Sequence, residues 1–237
     1  MKKLLALETS TEACSVALSF DQNKHSRFKI ASRQHAELIL PMIDSILTEA
    51  ECTLKEIDAI AFGQGPGSFM GVRIATAISQ SIGFAIKKPL IPISSLRSLA
   101  QQAYQMTLIP HIIAGWDARM GEIYWGVFHV NNNSQMELVD KEYLDSPKGL
   151  SVKLTELPNS HYLGVGNAWQ AYQKEIGDLP DSIKVSQEIF YPMATTVAEL
   201  ASTLFEQDKT VSPFKVEPCY IRNQVTHVSS VKKDSEE

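Results

Sequence analysis

The chain has 237 residues, with 22 Lys and Arg against 27 Asp and Glu, a formal net charge of −5, and 44% apolar residues. A globular apolar content, at a length that buries roughly 70% of the unfolded surface, excludes a disordered tail protein and a disulfide-stapled mini-protein. The acid excess counts against a stand-alone nucleic-acid binder, which needs a surplus of Lys and Arg on some face. The excess is uneven: residues 1–110 carry 11 basic and 9 acidic side chains, residues 111–237 carry 11 basic and 18 acidic. The densest basic stretch, Lys24, Arg27, Lys29 and Arg33, reads as a solvated strand edge.

The first apolar run, Leu4–Leu7, stops at Glu8-Thr9-Ser10 and is too short for a secretory h-region. No stretch approaches the ~18 apolar residues of a membrane span. Cys14, Cys52 and Cys219 are odd in number and lack Cys-x-x-Cys spacing, which points away from a disulfide framework and from a thiolate zinc site. A cytoplasmic protein is expected.

Leu4–Leu7 and Cys14–Phe20 flank the polar turn Glu8–Glu12 and read as a β-hairpin, with His25–Ile30 as a third strand. Residues 35–50 switch to helical period, with Leu38, Ile39, Met42, Ile43, Ile46 and Leu47 on one face, and Pro41 should kink this helix or mark its first turn. Ile57–Phe62 reads as a buried strand, followed by the loop Gly63–Phe69 and a helix to about Ile86. Leu90–Ile93 is a strand that opens onto a helix over Ser95–Gln105. Ile112–Trp116 and Glu122–Val130 form a second hairpin around Asp117-Ala118-Arg119-Met120-Gly121. A strand near 136–143, a loop-rich stretch to about 160, a strand at Tyr162–Val165, a helix at 193–207 and a polar tail complete the chain.

Both hairpins place an acidic residue, Glu8 or Asp117, at the end of an apolar strand. A pattern that restarts halfway predicts two related α/β lobes. The expected division is 1–107, rejoined by 193–225, and 108–192, with a flexible tail over 226–237.

The loop Gly63-Gln64-Gly65-Pro66-Gly67-Ser68-Phe69 lies between a strand and a helix, where backbone N–H groups and the helix dipole can hold an anion. No lysine completes a Walker motif, and Met70 stands where Gly-x-Gly-x-x-Gly needs its third glycine. Two readings stand: a tight turn needing positive φ, or a phosphate contact through Gly65, Gly67 and Ser68 together with Glu8, Thr9 and Ser10. Gly71, Ala75, Ser79 and Gly83 recur every four residues and form a small-residue line along one helix face. That line either packs within its own lobe or admits a partner helix. Asp117, Arg119 and Glu122 either bind a ligand or form an ion pair that steadies the hairpin. The six histidines are scattered, with no metal-binding i, i+4 pair, and read as surface or satisfied residues. No Gly-x-Ser-x-Gly elbow is present. Phosphate-binding turns of actin-like kinases carry Asp-x-Gly-Thr, whose glycine lets the backbone reach the phosphate; the side chains of Glu8-Thr9-Ser10-Thr11 crowd that approach.

Five ordered segments over residues 1–225 carry a resemblance. They are Glu8-Thr9-Ser10-Thr11, His35–Pro41, Gly65–Phe69 with Gly71-Val72-Arg73, Asp117–Tyr124, and Tyr220-Ile221-Arg222. Together they resemble the bacterial TsaB family of tRNA threonylcarbamoyladenosine biosynthesis proteins; Met70 departs from the family's usual threonine. The resemblance implies an actin/Hsp70-like two-lobed α/β fold. It implies an accessory role in forming N6-threonylcarbamoyladenosine at tRNA position 37, as a non-catalytic paralogue of the transferase TsaD. TsaD-like proteins hold a metal through a His-x-x-x-His pair, and the matching positions here are Ser95 and Leu99, so neither metal nor cofactor is expected. The implied partners are TsaD, bound through helices 35–50 and 71–86 (Leu38, Met42, Gly71, Ala75, Ser79 and Gly83), and the ATPase TsaE. Transfer RNA is reached only through the complex, and a homodimer forms when TsaD is absent. The alternative is an enzyme in its own right, a glycoprotease-type metallopeptidase or a small-molecule kinase.

Overall fold

The structure is a computed structural model that describes residues 2–20, 23–158, 160–188, 190–219 and 221. The tail over 226–237 lies outside these residues, as do 222–225 of the C-terminal segment. Strand β1 (Leu4–Glu8) is buried along its whole length. It pairs antiparallel with β2 (Ala13–Phe20), and β2 pairs antiparallel with β3 (Asn23–Ile30). On its other side β1 runs parallel to β4 (Ala59–Gly65), which is parallel to β5 (Leu90–Ser94). The sheet order is β3-β2-β1-β4-β5. A central strand covered on both faces must be apolar at every position, which explains Leu4-Leu5-Ala6-Leu7.

Side-chain alternation along the strands decides what covers each face. Leu5, Leu7, Val16, Leu18, Ile60 and Phe62 pack with Ile39, Ile43, Ile46, Ala75 and Ile82 of helices α1 (His35–Glu49) and α2 (Phe69–Ile86). Their neighbours Leu4, Ala6, Ala17, Ala59 and Ala61 face the other way. These short side chains admit a C-terminal helix, Ala194–Glu206, through Val197, Leu200 and Ala201. Lys24, Arg27 and Lys29 of the basic stretch lie on edge strand β3, where Arg27 and His25 pair with Glu49 of α1, and Arg33 lies in the connection beyond it. Pro41 stands in the second turn of α1, beyond the first turn. By length and mean hydropathy of 1.3, α2 meets the criteria for a membrane-crossing helix, contrary to the sequence reading. Here its inner residues Gly71, Val72, Ala75, Thr76, Ser79, Ile82 and Gly83 are buried against the first sheet and its surroundings.

Helix α3 (Ser95–Thr107) leads into β6 (His111–Arg119) and β7 (Glu122–Val130). The expected strand near 136–143 is two short strands, β8 (Met136–Leu138) and β9 (Tyr143–Asp145), and both pair with β7. The stretch read as loop contains α4 (Pro147–Thr155), with Ser146 as N-cap accepting from Gly149 N–H. Then come β10 (Tyr162–Val165), short helices α5 (Ala168–Ala171) and α6 (Gln173–Ile176), β11 (Ile183–Val185), and the C-terminal helix introduced above, α7. The second sheet has the order β11-β10-β6-β7-β8. Leu96, Leu99, Ala100 and Ala103 of α3 cover one face with Ile112, Ala114, Trp116 and Phe128. Leu150, Leu154, Trp169 and Ile176 cover the other. Strand β6 is antiparallel to β7 and parallel to β10, which is parallel to β11. The second sheet thus repeats the order and sense of the first, in the two-lobed actin/Hsp70-like arrangement.

Candidate functional site

The two hairpin turns lie where the lobes meet. At the end of β1, Glu8 is fully buried. Its Oε1 accepts from Ser10 N–H at 2.7 Å and its Oε2 from the Ser95 hydroxyl at 3.0 Å. A Cβ on Gly63 of β4 would lie 2.0 Å from Oε2, so the glycine makes room for this carboxyl. Burial lifts the Glu8 carboxyl above its ordinary range, against the opposing pull of the Ser10 and Ser95 hydrogen bonds. Burial, with the Glu8 charge adding to it, pushes the Cys14 thiol to about 11.

The glycine loop packs on this turn. Ser68 N–H donates to Ser10 O at 2.6 Å, and the Thr9 hydroxyl donates to Gly71 O at 2.6 Å. Ser68 caps α2 by accepting from Gly71 N–H at 3.1 Å. A Cβ on Gly67 would meet Ser10 O at 2.4 Å, and one on Gly71 would meet Thr9 O at 1.9 Å. Gly65, at φ 103, is the one loop glycine in the left-handed region. The structure therefore joins Glu8, Thr9, Ser10, Gly67 and Ser68, and it engages the loop with the chain's own β1–β2 turn. The Ser68 N–H is taken up in this way, while Gly67 and Ser68 also line the cavity between the hairpins.

On the opposing hairpin, Asp117 accepts from Arg119 N–H at 2.7 Å, Arg119 Nη1 at 2.8 Å and the Tyr172 hydroxyl at 2.8 Å. Asp117 N–H donates to Asn167 Oδ1 at 2.8 Å. Asp117 and Arg119 thus form the pair that steadies the turn, in which Arg119, Met120 and Gly121 all have positive φ. Between the hairpins lies a cavity of about 590 Å³. Its walls come from Thr11-Glu12, the β3–α1 connection (Ser32, Arg33, His35), Gly67–Val72, the segment Trp116–Arg119 with Tyr124, and Cys219. His35 corrects the reading of every histidine as surface or satisfied: it is 6% exposed and its buried Nε2 has no hydrogen-bond partner among the described residues.

The small-residue line needs a second correction. Gly71, Ala75, Ser79 and Gly83 are all buried, with Gly71 against Thr9 O and Gly83 against Leu90 and Lys88 O. They let α2 lie close to its own sheet and do not form an outer face. Leu38 and Met42 are half-buried against the same core. The outward residues of the pair of helices include Leu40, Met70, Arg73, Ala77, Ser81 and Phe84, with Glu37, Asp44 and Glu49 also exposed on α1.

Ser95, the first residue of α3, donates its hydroxyl to Glu8, and Leu99 is 1% exposed inside the second lobe's core. A carboxyl-bound hydroxyl and an alkyl side chain do not make a metal-ligand pair. Among the described residues no three His, Cys, Asp or Glu side chains gather in a metal-holding group. Sequence reasoning also missed Glu142, whose carboxyl accepts from the Ser94 hydroxyl at the start of α3 and is raised by burial to about 7. Within the run Asp140-Lys141-Glu142 it reads as solvated, and only the docking of this segment on α3 buries it.

A family model described as TsaD, tRNA N6-adenosine threonylcarbamoyltransferase, matches residues 21–214. The tRNA threonylcarbamoyladenosine biosynthesis protein TsaB of Escherichia coli is 35% identical over 223 residues, covering 94% of this chain and 96% of the relative. The Haemophilus influenzae protein of the same name is 38% identical, covering 94% of each. The solved structure of YeaZ from Pseudomonas aeruginosa is similar with a TM-score of 0.85 and 36% identity, over 93% of this chain and all of that one. Similarity of this extent in sequence and in fold leaves one conclusion: the chain belongs to the TsaB family.

Proposed function

We propose that this chain is the accessory subunit that supports formation of N6-threonylcarbamoyladenosine at tRNA position 37. In this reading it binds TsaD and, together with the ATPase TsaE, keeps TsaD productive, while the transfer itself takes place on TsaD. The near full-length match to proteins named for threonylcarbamoyladenosine biosynthesis supports the pathway. The observation that carries the non-catalytic role is the fate of the aligned metal positions, where Ser95 is bonded to Glu8 and Leu99 is packed in the core.

The net charge of −5 fits a subunit that leaves most RNA contacts to its partners. Helices α1 and α2 remain the proposed TsaD-binding elements, through the outward face of Leu40, Met70, Arg73, Ala77 and Ser81. Without TsaD the same face pairs two copies of the chain. The test is reconstitution of the tRNA modification with TsaD and TsaE present throughout. Omitting this chain should remove most product, and Ala77→Arg should weaken co-purification with TsaD while leaving the chain's melting temperature unchanged. Full modification without the chain would refute the accessory role.

A further inference from the structure

A second cavity, of about 380 Å³, lies where the first turn of α3, the β7–β8 turn and the C-terminal end of α7 meet, and it shares no lining residue with the cavity between the hairpins. Arg97, the third residue of α3, is half-buried in its wall. The helix dipole opposes a positive charge in a first turn. Burial pulls the guanidinium below its ordinary range, and only the Glu137 charge pulls the other way. Arg97 Nε donates to Met136 O at 2.6 Å, which fixes the plane of the group. Its two Nη atoms make no hydrogen bond or ion pair among the described residues, and neither is sealed from solvent. Glu137 spends Oε1 on Asn131 Nδ2 at 2.7 Å. A charge that its helix and its burial both disfavour, and that no acid pairs, breaks the local rules in the way expected of a binding residue.

Gln135 supplies a second open group in the same wall. It is 7% exposed, and its Nε2 donates to Thr203 Oγ1 at 2.8 Å and to Glu199 O at 3.4 Å. The acceptor left over, Oε1, has no partner among the described residues and is not sealed from solvent, so a residue this buried opens where it lines the cavity. Lys209 stands exposed at the rim, its Nζ without a partner among the described residues. The negative end of α7 is already answered, since Thr203, Leu204 and Phe205 carbonyls accept from Gln207, Lys209 and Asp208 N–H. A guanidinium fork with an ammonium beside it complements a dianion, and a buried amide oxygen asks for a hydroxyl. The volume falls in the range of small-molecule sites. A polyanionic strand is a poorer fit, because Glu206 and Asp208 are exposed at the same end of α7.

We propose that this cavity binds a small hydroxylated phosphate monoester, its phosphate at Arg97 and Lys209 and a hydroxyl donating to Gln135 Oε1. The test is calorimetric titration of the full chain alone with ribose 5-phosphate, ribose, butyl phosphate and a single-stranded oligouridylate that has a free 5′-hydroxyl. Ribose 5-phosphate should bind at least about tenfold more tightly than ribose, the ratio expected for one charge-assisted hydrogen bond. It should bind about fivefold more tightly than butyl phosphate, which has no hydroxyl for Gln135. Arg97→Gln should abolish the preference for ribose 5-phosphate over ribose. Lys209→Gln, at an exposed position, should weaken ribose 5-phosphate binding about threefold or more with no fall in melting temperature, and it decides the matter if Arg97→Gln does not fold. Equal affinity for ribose 5-phosphate and ribose, no binding of either, equal binding of butyl phosphate, tighter binding of the oligouridylate, or unchanged binding by folded Arg97→Gln or by Lys209→Gln would each overturn the proposal.

Discussion

Replacing Gly71 by alanine sets helix propensity against packing, and the two predict opposite signs. In the body of a helix, alanine is favoured over glycine by about 1 kcal/mol. Here the added Cβ would lie 1.9 Å from Thr9 O and 2.5 Å from Ser68 Oγ. The first is backbone in a buried turn, and the second is the cap of α2, so neither can step aside as the end of a flexible side chain would. The first turn of α2 must therefore lift from the β1–β2 turn. That strains the Thr9 Oγ1 to Gly71 O bond at 2.6 Å, the Ser68 N–H to Ser10 O bond at 2.6 Å and the Ser68 cap at 3.1 Å. Overpacking costs about 1–3 kcal/mol, loss of the cap about 1, and loss of one buried hydrogen bond about 1. Net of the propensity gain, Gly71→Ala should destabilise the chain by about 2–4 kcal/mol, a fall of about 5–15 °C in melting temperature for a chain of this size. Thermal unfolding followed by circular dichroism, on the chain alone, measures it. Gly121→Ala is the control: unlike the helical Gly71 it has φ 76, but nothing lies within 4 Å of the added Cβ, so only backbone strain of about 1 kcal/mol is expected. If Gly71→Ala melts at or above the parent temperature, α2 does not sit on the β1–β2 turn as described.

The remaining predictions concern buried polar groups. Burial holds the Glu142 carboxyl at about 7 against an ordinary 4.5, so the folded chain binds more protons than the unfolded chain between those values. Its contribution is therefore fully present below about pH 4.5 and is lost as pH rises through about 7, a change of up to about 3 kcal/mol. Glu142→Gln should gain stability relative to the parent between pH 5 and pH 8 in denaturant titrations, and a difference independent of pH would show that the carboxyl is not buried on α3. Ser79 Oγ is buried in α2 without a hydrogen-bond partner among the described residues, so Ser79→Ala should stabilise the chain by about 1 kcal/mol. A loss of stability would mean that the hydroxyl has a partner in solution.

Much of the architecture is legible in the sequence because the central strands must be apolar throughout and their flanking helices on one stripe. Leu4–Leu7, Cys14–Phe20 and Ile112–Trp116 announce strands by that logic, and Ile39, Ile43 and Ile46 announce α1. Helix α4 is harder to see, since it has few apolar positions and a Gly at its third residue, although Ser146-Pro147 is a helix-start signal. The direction of the small-residue line is not legible at all. A row of glycine, alanine and serine permits close approach but does not say to what, and the register of α2 on β4 turns it inward.

The sequence by itself determined the two hairpins, their acidic ends, the glycine-rich junction and the family, since these rest on local spacing and residue order. The charge excess that argues against an independent nucleic-acid binder is likewise a property of composition. Only the tertiary structure decided what those pieces touch. Glu8 bonds Ser95, which is 87 positions away. Gly67 and Gly71 meet Ser10 and Thr9, and the buried His35 Nε2 has no partner among the described residues. The physical reason is that hydrogen-bond satisfaction and close packing are properties of surfaces brought together by the fold. A residue's type states what it can bond, and its neighbours in space decide whether that capacity is filled or left open.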